Sequence, residues 1–179
     1  MTVEATEKKI SPPAGVGGPL LFIVKTGLLA GFLDISAAFI DAYASRGTAP
    51  TRVLQFIASG VFGRSAFSGG QAMALWGCVF HFFFASTWSS LFFLMYPRIN
   101  FLGKRWIASG ILYGVFVWIM MNMVVLPLSN TPAFSRSLTS IIKATTILIF
   151  MIGLPISYRV HQYYSKKHRS DDETGTGSD

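Results

Sequence analysis

The chain has 179 residues, 51% hydrophobic and only 13% charged, with a mean hydropathy of +0.49. Too little charge remains to cover a globular surface, which excludes a disordered protein and an ordinary soluble domain. One cysteine excludes a disulfide framework and a thiolate metal cluster, and the net charge of +7 comes from basic residues scattered around apolar stretches, a poor nucleic-acid footprint.

Residues 1–18, with Pro12, Pro13 and three glycines, read as disordered. A helix needs about 20 apolar residues to cross a bilayer, and the first stretch that qualifies runs from about Leu20 to Tyr43. Gly27, Ala30, Gly31, Asp34, Ala37, Ala38 and Asp41 recur there at three- and four-residue spacing, so they share one helical face. Gly27 and Gly31 form a small-xxx-small pair that lets a neighbouring helix approach closely. A carboxylate aimed at lipid would cost about 3 kcal/mol, so Asp34 and Asp41 are expected to point inward. Lys25 lies near the end of the span and is expected to snorkel. Ala42-Tyr43-Ala44 is an A-x-A pattern that can mark a cleaved leader, but the two aspartates and a long, mixed-charge start favour a retained span.

From 51 to 63 the pattern is amphipathic at helical spacing. Arg52, Gln55 and Ser59 fall on one face, and Val53, Leu54, Ile57 and Val61 on the other, with Thr51 as the expected cap. This predicts an extra surface helix, either a plain connector lying on the membrane or a lid over the bundle mouth. Gly69-Gly70 then turns the chain into a second span, about 71–96. Its small face is Ala74, Gly77, Cys78, His81, Ala85 and Ser89, with Cys78 read as a packing residue. Pro97 follows. A third span, about 106–128, carries Gly110, Gly114, Trp118 and Asn122, and its exit is bracketed by Pro127 and Pro132. A fourth, about 138–158, carries Thr139, Ser140, Lys143 and Thr146, with Gly153 and Pro155 placed to kink it. Tyr96, Trp106 and Tyr158 fall where interfacial rings belong. Residues 162–179 read as a disordered tail.

The predicted fold is all-α, an integral membrane four-helix bundle. Lys8, Lys9, Arg98, Lys104, Arg105, Arg159, Lys166, Lys167 and Arg169 flank one side, and only Arg46, Arg52, Arg64 and Arg136 the other. That bias predicts both termini in the cytoplasm. At about 1.5 Å per residue, Asp34 and His81 fall at similar depth, and Asp41, Asn122 and Lys143 lie nearer the outer surface. Two pairings are allowed, Asp34 with His81 and Asp41 with Lys143. Such groups mark proton or solute routes in membranes, or they merely fasten helices together. A haem would need a second intraspan histidine, and a metal centre more clustered ligands; neither is present, and no hydrolase or phosphate-loop motif occurs. No enzyme activity, cofactor or metal is expected.

The order His81-Phe82-Phe83-Phe84, Tyr96-Pro97-Arg98-Ile99, Leu126-Pro127-Leu128 and Thr131-Pro132 resembles the YagU-like family of small bacterial inner-membrane proteins, over roughly a third of the chain. The resemblance implies a four-span protein of the bacterial cytoplasmic membrane; the family has no assigned biochemical function and no active site to carry over. The leading functional expectation is a membrane protein handling protons or a small solute through Asp34, Asp41, His81, Asn122 and Lys143, working as an oligomer because four short spans enclose little space. The alternatives are an accessory or scaffold subunit that docks into a larger membrane complex through its small-residue faces, and an intramembrane enzyme or lipid binder.

Overall fold

The computed structural model describes residues 17–132 and 137–175, with side chains described for 18–132 and 137–166. These residues are all-helical, and four helices are long and apolar enough to cross a membrane: Gly18–Arg46, Gly70–Arg98, Trp106–Leu128 and Leu138–Lys166. In chain order the elements are α1 (Gly17–Arg46), α2 (Pro50–Phe62), α3 (Gly70–Met95), the short α4 (Asn100–Lys104), α5 (Trp106–Leu128) and α6 (residues 138–175). Apart from Gly17 and Gly18, which already belong to α1, the segment expected to be disordered at the start lies outside the described residues. So do Lys8, Lys9 and Arg136 of the charge count.

Two departures come from proline. Pro127 cannot donate to an i−4 carbonyl, and its ring crowds the carbonyl of Met123. The helix answers with a wide π-turn over Met121–Val125. Pro155 does the same to α6, where Ile149–Gly153 forms a second π-turn. The predicted kink at Gly153 and Pro155 is therefore a widened turn, and the helix continues through it. Ser137 starts α6 by accepting a hydrogen bond from the Ser140 N–H at 3.2 Å. α6 does not end near Tyr158 but runs on to Gly175, through residues 162–175 that the sequence assigned to a tail. No Gly or Pro interrupts 156–174, and Tyr163 and Tyr164 have a surface to pack on.

α1 lies between α3 and α6, and α5 closes the bundle against α6. Glycines set the close approaches. A Cβ on Gly27 would meet Ser86, and one on Gly31 would meet Ala85 and Phe82. Gly110 and Gly114 face Gly153, Leu154 and Ile149 across the α5–α6 crossing. The buried core gathers toward the end of the bundle where α1 begins: Phe92, Tyr96, Leu102, Tyr113, Ile156 and Val160 belong to it. Phe22, Phe93 and Tyr163 pack around it in tilted and edge-on contacts, with Phe22 and Tyr163 centroids 4.6 Å apart. Three buried hydroxyls there are hydrogen-bonded between helices: Ser89 donates to the Ile23 carbonyl at 3.3 Å, Ser157 to Trp106 at 2.7 Å, and Tyr113 to Trp88 at 2.6 Å.

α2 forms where the amphipathic helix is expected, but its cap and its buried side differ from the expectation. Its start is Pro50, pre-set for a helix, and Thr51 is not the cap; the N-cap position is Ala49, with no side-chain bond. Gln55 and Ser59 of its polar face turn inward, while Arg52 stays exposed at the start. Ala58 and Ser59 are fully buried and Gln55 nearly so, while Val61 is 54% exposed. The reason lies in what the polar side chains serve. Gly63, at φ +60°, reverses the chain, and the returning strap Gly63–Phe67 and Gly70 present carbonyls to α2. Arg52 donates to the Phe67 carbonyl at 3.0 Å and Gln55 to that of Gly70 at 3.1 Å. Gly77 has no side chain, so the backbone of Leu54 presses directly onto α3.

Candidate polar site

The inward face of α1 carries two polar groups, two helical turns apart, and they meet different neighbours. Near the α1–α2 end, Lys143 of α6 forms an ion pair with Asp41. Ser45 joins them: it accepts from Lys143 Nζ at 2.8 Å and donates to Asp41 Oδ1 at 3.2 Å. The Arg46 guanidinium adds a second positive charge beside Asp41. Asp41, Ser45, Arg46, Lys143 and Asn122 line one cavity of about 360 Å³, with Phe56 and Trp118 in its wall. Asn122 has turned one amide hydrogen to the Trp118 carbonyl of its own helix, at 2.7 Å.

About 10 Å deeper along α1 lies the second group. His81 of α3 donates from Nε2 to the Gly31 carbonyl at 2.8 Å, a bond that fixes the proton on that nitrogen. It is possible because Gly31 lets the two backbones close up. Asp34, one turn on from Gly31, interacts electrostatically with His81, and its carboxylate has no hydrogen-bond partner among the described residues. The five residues singled out by spacing therefore separate into a charged cluster of Asp41, Lys143 and Asn122 at the rim, and an Asp34–His81 couple below it.

The packing glycines are all engaged by helices of the same chain, and Gly77 by α2 instead of another span. Lys25 is exposed. Among the described residues no three His, Cys, Asp or Glu side chains come together as metal ligands.

Spacing within one helix gave no hint of two further polar links. Arg159, counted only as a flanking charge, donates from Nε to the buried Thr26 hydroxyl at 3.1 Å and lies over the Phe22 ring. Tyr96 and His161 are hydrogen-bonded at 2.7 Å, and Tyr96 stacks on Tyr164. The third omission is Asn130. It donates from its backbone N–H to the Gly60 carbonyl and from its side chain to that of Val61, both at 2.9 Å, closing the C-terminal end of α2. An Asn after a helix exit, with a distant helix end to serve, is the one sequence cue to that role.

What the geometry defines is a helical bundle of membrane-spanning proportions with a small charged cavity at one end. Comparison with known protein families, with curated proteins and with solved structures gives no match.

Proposed function

We propose that this is a multi-pass protein of a bacterial cytoplasmic membrane, with both termini in the cytoplasm, that takes protons or a small polar solute into the cavity at its opposite face. The supporting observation is the alignment of the Asp41–Lys143 pair, lining the cavity with Asn122, above the Asp34–His81 couple on the same face of α1. A carboxylate with no hydrogen-bond partner beside an imidazole is a suitable proton acceptor, because the two groups can trade a proton with little change in net charge. The basic flanks support the orientation. The likeness of His81 to Pro132 to the YagU-like family supports the membrane assigned.

Reconstituted protein in proteoliposomes tests the reading. Asp34→Asn is expected to abolish pH-driven flux while leaving the folded yield near that of the parent. Equal flux in the two proteins would discard it. The accessory-subunit alternative rested on small-residue faces open to a partner. Gly27, Gly31, Gly77, Gly110 and Gly114 of those faces meet helices of the same chain, which favours the first reading.

A further inference from the structure

A second, larger cavity of about 510 Å³ adjoins the charged one. It lies under α2, between α3 and α5, and its lining is almost wholly hydrocarbon: Phe56 and Ile57 from α2, Phe80 and Phe83 from α3, Met121 and Val125 from the π-turn of α5. α3 and α5 are tied to each other through Trp88, Phe92 and Tyr113, toward the other end of the bundle. The space therefore opens where the π-turn widens α5 and α2 roofs the gap. π-turns recur at functional sites because they re-aim side chains without breaking the helix. Here the turn sends Met121 and Val125 to the apolar cavity and Asn122 to the charged one.

The two cavities share a wall, Phe56 and Leu126. Beyond that wall two cations, Lys143 and Arg46, face a single carboxylate, Asp41. Trp118, whose buried indole N–H has no hydrogen-bond partner, lines the charged cavity but not the apolar one. A hydrocarbon slot adjoining a pocket of surplus positive charge matches an amphiphile with an anionic head. We infer that the paired cavities bind one anionic phospholipid, an acyl chain lying between α2, α3 and the α5 π-turn and the phosphate against Lys143 and Arg46. This does not depend on flux through Asp34, and it is tested by binding alone.

Protein purified in detergent is mixed with dioleoyl phosphatidylglycerol or dioleoyl phosphatidylcholine, and retained lipid is counted by native mass spectrometry. The parent should hold one phosphatidylglycerol in preference to phosphatidylcholine. Arg46→Gln and Lys143→Gln should each lower phosphatidylglycerol retention about fivefold and leave phosphatidylcholine unchanged. Val79→Trp, which fills the apolar cavity, should lower retention of both at an unchanged elution volume on size exclusion. Arg46 is exposed, so its variant keeps the test decisive if Lys143→Gln fails to fold. Equal retention of the two lipids by the parent, or phosphatidylglycerol retention unaltered in both Arg46→Gln and Val79→Trp, would overturn the assignment.

Discussion

At the scale of single residues, α1 shows how two like side chains acquire different chemistry. Asp41 meets a lysine and a serine at the rim, where the ion pair is partly exposed, the Lys143 side chain by 48% and that of Asp41 by 28%. A pair so accessible to water contributes ~0.2–1 kcal/mol, too little to explain the fold. Its consequence is to hold charge at the cavity. Asp34 meets an imidazole that is already committed to the Gly31 carbonyl. His81→Ala removes that interhelical bond, and the unfolding free energy in detergent is expected to fall by about 1 kcal/mol, measured by denaturant titration. No change would mean the bond adds nothing to the α1–α3 contact. Spacing within α1 made both aspartates readable as inward-facing, and it allowed both pairings. It could not reach Thr26 with Arg159, because which residues meet across helices depends on the rotation of each helix about its axis.

At the scale of elements, α2 shows what periodicity leaves open. The alternation of Arg52, Gln55 and Ser59 with Val53, Leu54, Ile57 and Val61 identifies a helix with two unlike faces. It does not say which face is buried. That choice belongs to Gly63 and to the carbonyls of Phe67 and Gly70, which give Arg52 and Gln55 partners. Packing at Gly77 then admits the Leu54 backbone. Gly77→Leu should lift α2 from α3. In a Cys78→Ser background, a cysteine placed at the buried Ala58 should resist maleimide in the parent and react once Gly77 is leucine. Unaltered protection would mean that α2 does not depend on that contact. Pro127 and Pro155 were legible as disturbances. Their outcome as π-turns was not, since a helix can answer a proline by ending, kinking or widening. The persistence of α6 beyond Tyr158 was hidden by its polar composition, which resembles a tail unless Tyr163 and Tyr164 are known to have neighbours.

At the scale of the whole molecule, the bundle is unequal along its length. One end is packed with aromatic rings from α1, α3 and α6, and the other holds the charged cavity and the apolar one beneath α2. The orientation proposed for it is open to labelling. In the Cys78→Ser background, a cysteine at Thr48 should react with an impermeant reagent in intact cells, and one at Lys166 only after permeabilisation. The reverse pattern would invert the topology. Four helices long and apolar enough to cross a membrane were legible from hydropathy alone; the unequal ends were not, because they arise from which side chains converge in space. Asn130 adds a constraint of timing. Synthesis delivers α2 well before the residue that completes its carboxyl end, and that residue arrives only with the exit of α5. During biogenesis the Gly60–Gly63 corner must therefore wait, unlatched, for the ribosome to finish α5. A chain arrested before position 130 would leave that corner as a ready grip for chaperone or protease.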